Sequence, residues 1–555
     1  MSQRLLHQTE AGPLSHPAFH RIWVTSLVGN FGLLIQGVGA SWAMTELTSS
    51  PRLVTLVQTS LMLPVMLLSM AAGAAADMYD RRKVALGALG LCCAGATLLT
   101  LVTAAGLASP AVLLGGCFLI GCGMAIFSPS WQASVGELVP PALLAPAIAL
   151  NSISYNIARS IGPAIGGVIV ATAGSAAAFG ASAFLYLPVI GAFLIWRRPI
   201  EPRRLPPERL GWAITAGLRY ILHAPRVRTV ILRTLLTGIA GGSLSGLMPL
   251  IARDALGGGA GTFGLLLGLT GSGAVAGALS ATNVRRRLTN EQIVCGCTVL
   301  TGSAFAVIAL SRTILFTAPA LFTTGACWMV MVTVLNIGVQ VAVPRWVAGR
   351  ALAGYQAAMA GGVGAGCWLW GQVASATSVS SAMLLSGAAM IAVALLGPLL
   401  RMPRDEPVSE GSGIAEAPQV RLALTARSGP VSIEVEYHVI AAQARAFYAV
   451  MQEVRLIRNR NGAYDWSISR DISTPEIWAE RFHYPTWADY LRQRDRRTAA
   501  EEAFERDALR GIVNPGSMRV RRWLERPFGS VRWKEDTPDP GRTAAIISRT
   551  SPSTP

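Results

Sequence analysis

Charged residues are scarce over most of this chain. Lys, Arg, Asp and Glu make up 14% of its 555 residues, and only nine Asp and Glu residues occur in residues 1–400, against 21 in residues 401–555. With 52% hydrophobic residues overall, the first region is too apolar for an ordinary soluble protein. The net charge of +17 would suggest a nucleic-acid partner in a soluble chain. Here the arginines cluster between apolar segments, so we expect no nucleic-acid partner.

Patterns typical of metal sites, disulfides and enzymes are also missing. All eight cysteines lie inside apolar segments, and neither Cys92-Cys93 nor Cys295-Gly-Cys297 has the spacing of a zinc site. We therefore interpret them as small packing residues. No nucleophile–base pair is evident, so we expect no catalytic residues, no metal and no cofactor. The N-terminus lacks a cleavable signal pattern, because its first apolar run is too long.

Long apolar runs take the place of these motifs. A helix needs roughly 20 apolar residues to cross a bilayer. Twelve such runs are found, near residues 22–44, 53–76, 84–107, 111–130, 144–172, 176–196, 229–251, 261–283, 291–311, 314–340, 351–376 and 380–400. The sequence therefore predicts an all-α membrane protein with six spans on either side of a basic loop.

The two sets of six spans are related by an internal repeat. Gly73 through Arg81 recurs as Gly277 through Arg285, and the same shift of 204 residues places Val139-Pro140 on Val343-Pro344. It also places Gly162 and Gly167 on Gly366 and Gly371. Long repeats identify duplicated units, and duplicated membrane bundles are typical of transporters that bind substrate between their halves.

Basic residues predict how the chain lies in the membrane. Arg81-Arg82-Lys83, the loop from Arg197 to Arg228, and Arg285-Arg286-Arg287 all fall on one side, whereas the opposite loops carry only Arg52, Arg253 and Arg312. Cytoplasmic loops are enriched in Lys and Arg. We therefore expect both termini to be cytoplasmic.

The first basic loop resembles a motif of the major facilitator superfamily, in which Gly-x-x-x-Asp-Arg-x-Gly-Arg-Arg/Lys follows the second helix. The matching residues are Gly73, Asp77, Arg81, Arg82 and Lys83, while Met78 and Asp80 depart from the pattern. The resemblance implies a major facilitator fold and a cytoplasmic latch that joins the two halves in the outward-facing state. Because Ala281 stands where the second copy would carry Asp77, the latch is expected on one side only.

Further motifs resemble the transmembrane secretion effector branch of that superfamily. They are Trp42 through Pro51, Phe127 through Trp131, Glu137 through Pro140, and Gly162-Pro163-Ala164-Ile165-Gly166-Gly167, which is similar to an exporter motif. The resemblance implies a multi-pass protein of the bacterial inner membrane that exports siderophores, drugs or metabolites. It also implies alternating access coupled to protons.

Arg159 lies well inside the fifth predicted span, about 22 Å from its start at 1.5 Å per residue. A cation at that depth either contacts an anionic substrate or forms a structural ion pair, and the sequence leaves both open. Other candidates for a substrate cavity are polar or aromatic residues within the predicted spans or, for Trp131, directly after the fourth: Asn30, Gln36, Trp131, Asn156, Asn336 and Gln340. Each of these could instead form a hydrogen bond between helices.

The last region predicts a small soluble domain. Val431 to Val439 alternates apolar and polar residues like a strand, and Phe447 through Ile457 has helical spacing. Strands at 464–472, 477–484 and 518–524 and a helix at 485–509 complete a β-α-β-β-α-β order, which is ferredoxin-like. The pattern is similar to dimeric α+β barrels of antibiotic-biosynthesis monooxygenases, so dimerisation through this domain is one expectation. His438 and His483 are interpreted as structural.

These observations predict six regions. They are a six-helix bundle at 1–196, a central loop at 197–228 with an interfacial helix, a second bundle at 229–401, a linker at 402–430, the ferredoxin-like domain at 431–526 and a disordered tail at 527–555. The expected function is secondary transport of a small amphipathic molecule across a lipid bilayer, not enzymatic activity. The alternatives are an uptake permease and a membrane-anchored monooxygenase or ligand sensor.

Overall fold

The computed structural model describes residues 12–140, 143–196, 210–402, 420–422, 424–425, 427–495, 499–510, 512–513 and 518–525. These residues fall into two compact units. The first contains Met1–Thr215, Arg226–Gln340 and Gly349–Asp405, and the second contains Ala216–Pro225, Val341–Ala348 and Glu406–Pro555. The predicted linker and tail lie almost entirely outside the described residues.

The first unit is a bundle of long apolar helices. They are α1 (Pro17–Leu47), α2 (Pro51–Met78), α3 (Arg81–Ala104), α4 (Pro110–Leu138), α5 (Leu144–Ile195), α7 (Pro225–Leu250), α8 (Ala260–Arg287), α9 (Asn290–Leu310), α10 (Ile314–Val341), α11 (Arg345–Ala376) and α12 (Val379–Leu395), with α6 (Leu210–His223) in the central loop. Within the described ranges, nine helices are long and apolar enough to cross a membrane. Every predicted span coincides with helix in the structure.

Helix starts in the bundle follow ordinary capping rules. Proline occupies the first turn of α1, α2 and α4, where its missing N–H costs nothing. The side chain of Asp80 accepts a hydrogen bond from Arg82 N at the start of α3, and Thr289 forms a capping box with Gln292 at the start of α9. The loops between helices are short, so neighbouring helices run in opposite directions.

Gly174 divides α5 into two parts. The 52-residue helix contains one residue with non-helical geometry, Gly174, at φ 79° and ψ 172°. Only glycine adopts this region readily. The break coincides with the predicted boundary between the spans at 144–172 and 176–196, so the chain reverses there without a loop.

Helix α4 is longer than predicted. The apolar run was expected to end near residue 130, with Trp131, Gln132 and Glu137 beyond it, but the helix continues to Leu138 and contains Pro129. The helix therefore extends eight residues beyond the predicted span. In a bundle, neighbouring helices can satisfy the backbone groups that proline frees.

The second unit contains a four-stranded antiparallel sheet. Its elements are β1 (Val431–His438), α13 (Ala444–Arg460), β2 (Tyr464–Arg470), β3 (Ile477–Tyr484), α14 (Trp487–Asp495), α15 (Ala499–Leu509) and β4 (Arg519–Leu524). The strand order is β2-β3-β1-β4, with Ile433 paired to Phe482 and to Arg522. One face carries a core that includes Val435, Tyr437 and Phe447.

We predict that Gly174→Ala destabilises the bundle by about 1–3 kcal/mol, because an L side chain is strained at that backbone conformation. The matched control is Gly115→Ala in α4, where an added Cβ meets nothing within 4 Å. That control is expected to be neutral or stabilising. The measurement is the midpoint of thermal unfolding of the purified protein in detergent; equal midpoints for the two variants would contradict the prediction.

Candidate functional site between the two halves

The two halves of the bundle meet along a glycine seam, formed by Gly167 on α5 and Gly264 and Gly271 on α8. A Cβ added to Gly167 would lie 2.7 Å from Gly264 Cα, and one added to Gly271 would lie 2.6 Å from Ser160 Cα. Ser160 Oγ donates a hydrogen bond of 3.1 Å to Gly271 O. The helix backbones therefore touch, as small residues permit in membrane bundles.

The exporter-like motif on α5 has two packing directions. Cβ atoms on Gly162 and Gly166 would lie 3.1 Å from Leu34 Cβ and from Ile35 Cα of α1, whereas Gly167 approaches α8. Pro163 is buried between these positions. The motif thus lets α5 pack closely against a neighbour in its own half and against the opposite half at once.

A cluster of contacts joins the halves at the end of the bundle that carries few arginines. The side chain of Arg253 donates from Nη1 to Thr45 O at 2.9 Å, and its Nε donates to Asp254 Oδ1 at 2.6 Å. Trp42 stacks on Phe263 with ring centroids 6.2 Å apart. We call Arg253, Asp254 and Thr45 the clasp. Arg253 sits in a short π-helix, Ile251–Ala255, a conformation often found at functional sites.

A second pair of helices, α2 and α11, also joins the halves. Thr59 Oγ1 donates to Gly364 O at 2.9 Å, and Arg52 N donates to Ser375 Oγ at 3.2 Å. A Cβ on Gly73 would lie 3.6 Å from Ala353 Cβ. Gly73, the first residue of the predicted latch motif, therefore faces the opposite half.

The basic residues of that motif bind within the first half. Arg81 Nη1 donates to Glu137 Oε1 and to Ala133 O, both at 2.8 Å. Arg82 donates to Phe193 O at 2.8 Å and to Leu194 O at 2.5 Å, so a cation caps the carboxyl end of α5. Asp80, a departure from the family pattern, caps α3. The side chain of Asp77 lies outside the described residues, so its role in a latch stays a prediction.

The second half has its own buried ion pair, which sequence reasoning missed. Arg233 is 1% exposed, and its Nη1 lies 2.8 and 2.6 Å from the two carboxylate oxygens of Glu291. Leu400 O accepts from Arg233 at 3.1 Å, and Met402 N donates to Glu291 at 2.8 Å. The pair joins α7, α9 and the residues after α12. The one feature of the sequence that could have indicated this pair is that Arg233 lies within the predicted seventh span.

On α5, Arg159 lies between the direction of α1 and the direction of α8. Successive helical residues are about 100° apart. Gly162 and Gly166 face α1, Ser160 and Gly167 face α8, and the exposed side chains Ile157, Ile161 and Ile165 form the outer face. Arg159 is about 160° from Ile157 and Ile161, so it points towards the space between the halves.

The face of α5 that carries Arg159 is exposed towards the arginine-rich end of the bundle and buried towards the arginine-poor end. Four and seven residues before Arg159, towards the arginine-rich end, Tyr155 is 43% exposed and Ser152 is exposed. Four and eleven residues after it, Pro163 and Val170 are buried. Arg159 is half-buried and therefore lies where the open part of the face ends. Among the described residues it has no hydrogen-bond or ion-pair partner.

The remaining cavity candidates divide into two groups. Trp131 and Gln36 are buried inside the first half: Trp131 Nε1 donates to Asn151 Oδ1 at 2.8 Å, and Gln36 Oε1 accepts from Ser182 at 3.4 Å. Asn30, Asn156 and Asn336 are half-buried, and Gln340 is exposed. Gln340 donates to Asn336 Oδ1 at 2.5 Å, and Asn156 donates to Ser152 O at 2.9 Å. Trp131 and Gln36 are thus buried and hydrogen-bonded within the first half, and a role in the cavity stays a prediction.

The second unit contains a buried polar network. Glu480 is fully buried and accepts from Arg458 Nε at 3.0 Å, from Tyr437 Oη at 2.9 Å and from Trp466 Nε1 at 2.9 Å. Burial, followed by the charge of Glu480, raises the pKa of Tyr437 well above its usual value. His438 and His483 lie beside Glu436 and Glu525. Among the described residues no group of His, Cys, Asp and Glu could hold a metal ion.

The central-loop helix α6 packs on this domain within the second unit. Tyr220 is 4% exposed and lies under the guanidinium of Arg460, which is 5.7 Å from the ring centroid. Burial raises the pKa of Tyr220 to about 12, although Arg460 lowers it. Arg460 in turn pairs with Glu501. An interfacial helix was predicted here, and the packing of its apolar side against the C-terminal domain was not.

Comparison with known proteins agrees with this architecture. The family model described as transmembrane secretion effector matches residues 8–528. The chain belongs to the transmembrane secretion effector family. It is therefore a multi-pass membrane transporter of the major facilitator type, as the motifs predicted. The matched range includes the sheet domain as well as the bundle.

Relatives of this transporter include exporters. It is 28% identical to an uncharacterized major facilitator transporter, YfiS of Bacillus subtilis, over 64% of this chain and 86% of the relative. It is 25% identical to the enterobactin exporter EntS of Salmonella choleraesuis over 71% of this chain and 96% of that one. The multidrug efflux pump Tap of Mycobacterium bovis is 29% identical over 39% of this chain and 53% of the pump.

Solved structures show the fold of the bundle. A point mutant of the nucleoside transporter NupG superposes with a TM-score of 0.58 at 11% identity, over 69% of this chain and all of that chain. A bacterial homologue of the human lysosomal transporter Spinster, inward-facing and occupied, gives 0.54 at 12% identity over 70% and 96% of the two chains. Identities this low concern the fold alone.

We predict that Arg253→Ala loosens the arginine-poor end, because Thr45 O loses its donor from the opposite half. Amide hydrogen exchange should become at least tenfold faster in residues 251–262 and 43–50. The control is Arg312→Ala, an exposed arginine at the same end that makes no hydrogen bond with the first half among the described residues. Unchanged exchange in Arg253→Ala would mean that the clasp does not hold the halves.

We also predict that Glu291→Gln lowers the midpoint of thermal unfolding, since it leaves Arg233 buried without a counter-charge. Breaking a fully buried pair costs about 3–5 kcal/mol, and the one-third exposure of Glu291 reduces this figure. Glu46→Gln, at an exposed acid closing α1, is the control and is expected to change little. Similar midpoints for both variants would refute the role assigned to the pair.

Proposed function

We propose that this transporter exports a small amphipathic molecule across the bacterial inner membrane by alternating access. The observation that carries the proposal is the asymmetry of the interface: the clasp and the glycine seam join the halves towards the arginine-poor end, while the interior face of α5 is open towards the arginine-rich end. With the arginine-rich end in the cytoplasm, as the distribution of basic residues favours, the exposed face of α5 would be accessible to cargo from the cell, while α2 and α11 still approach each other at Gly73 and Ala353. Both termini would then be cytoplasmic.

We further propose twelve spans in two halves of six. Gly174 supplies the division of α5 into two spans, and α11 and α12 add two to the helices of the second half. The strand order β2-β3-β1-β4, with a helix after β1 and helices after β3, supports a ferredoxin-like fold for the C-terminal domain. Dimerisation through this domain and proton coupling belong to the same proposal.

Export rather than uptake is supported by the relatives. The enterobactin exporter and the multidrug efflux pump are both named for export, and the exposure of the α5 face towards the arginine-rich end suits loading from inside. The predicted latch and the clasp would then stabilise different conformational states, the latch the outward-facing state and the clasp the inward-facing state. Gly73, Asp77, Arg81, Arg82 and Lys83 would hold the halves together when the bundle opens outwards.

The test uses inverted inner-membrane vesicles energised with ATP, with N-dansylglycine and ethidium as probes. We expect accumulation of at least one probe above that of vesicles lacking the protein, and its loss on addition of a protonophore. Asp77→Asn should reduce the initial rate at least tenfold, because the outward-facing state loses its latch.

The matched control is Glu46→Gln, at an exposed acid outside the latch, which should transport normally. Accumulation that persists in the protonophore would exclude proton coupling. Accumulation only in right-side-out vesicles would indicate uptake instead of export.

A further inference from the structure

Arg159 is a half-buried cation of the bundle for which the side chains that the structure describes supply no counter-charge. The acids whose side chains the structure describes there are already occupied or distant: Glu137 binds Arg81, Glu291 binds Arg233, and Asp254 binds Arg253. Asp80 caps α3, and Glu46 is exposed at the arginine-poor end. An unpaired cation in a membrane interior is costly and is retained where it faces a wet cavity or a ligand.

We propose that Arg159 binds an acidic group of the transported molecule, which is therefore an anion with an aromatic or apolar body. This inference rests on the proposed function and names its substrate class. A guanidinium offers paired donors that match a carboxylate or a similar oxyanion. In a cavity shielded from bulk water, such a contact is stronger than at a surface.

The surroundings of Arg159 fit the rest of such a molecule. Tyr155, one turn earlier on the same face, exposes 43% of its surface and offers a ring beside the cation. Asn156, three residues before Arg159, adds a polar amide just under one turn away, and its Nδ2 is already bonded to Ser152 O. Beyond Arg159 the face closes at Pro163, so the acidic group would bind at the inner end of the cavity and the apolar body would lie towards Tyr155.

The position of Arg159 next to the glycine seam also suggests that anion binding depends on the conformation of the transporter. Ser160, the next residue, contacts Gly271 of the opposite half through its hydroxyl. A rocking motion that separates α5 from α8 must therefore change the surroundings of Arg159. The anion would be held while the seam is closed and released when it opens.

The experiment titrates purified protein in neutral detergent with N-dansylglycine and with N-dansylglycinamide, a probe pair that differs in the carboxylate. Dansyl fluorescence gives the two dissociation constants. We expect the carboxylate to bind at least tenfold more tightly than the amide. Arg159→Gln should abolish this preference, and Arg159→Lys should keep part of it, because the charge remains while the paired donors are lost.

Arg312→Gln, which removes an arginine from the arginine-poor end, is the matched control and should bind like wild type. The proposal is overturned if the two probes bind equally to wild type, or if Arg159→Gln weakens both alike. It is also overturned if phosphatidylglycerol, and not the probe, stabilises wild type against heating in an Arg159-dependent way, since Arg159 would then bind a lipid headgroup. Selective binding without accumulation in inverted vesicles would leave the anion site intact and refute the transport proposal.

Discussion

A charge inside a membrane bundle needs a partner, and the organisation of this protein follows from how few charges it has to place. Arg81 pairs with Glu137 in the first half, Arg233 with Glu291 in the second, and Arg253 with Asp254 where the halves meet. Each pair joins different helices or orients a donor towards the other half. Against this background the isolated position of Arg159 stands out as a feature that packing does not explain.

Small residues complement these ion pairs. The seam between α5 and α8 depends on backbones that touch at Gly167 and Gly264, where even a methyl group would collide. Such a contact makes no directional bond apart from the Ser160 hydroxyl, so it can separate and re-form without leaving charges unpaired. Two other directional contacts between the halves, from Arg253 to Thr45 O and from Arg52 N to Ser375, lie at the arginine-poor end, where hydrogen bonds can exchange with water.

Much of the fold could be predicted from the sequence because membrane helices have a strong local signal. The lengths of the apolar runs predicted the spans, and the repeat at a shift of 204 residues predicted the two halves. The alternation of apolar and polar residues predicted strands, including β3 at Ile477–Tyr484. The family motifs located α5 correctly, and the glycine positions alone indicated close packing.

The contacts of the site were less predictable, since they depend on which face each side chain occupies. Trp131 and Gln36 are polar or aromatic residues within spans, like Asn156, but they lie in the packed interior of the first half. The Arg233–Glu291 pair spans 58 residues, and no local pattern connects its members. The hydrogen bond from Arg253 to Thr45 O could not be predicted from the sequence, because its acceptor is a backbone atom.

The packing of α6 on the C-terminal domain constrains how the sequences of these two segments can change during evolution. Tyr220 belongs to the segment that covalently connects the two halves, whereas Arg460 and Glu501 belong to a domain that lies more than 200 residues later in the chain, at positions 460 and 501. A substitution on either side alters a shared surface, so the connecting segment and the appended domain are expected to co-evolve. Exchange of C-terminal domains between homologous genes would then succeed mainly when the central loop is exchanged along with them.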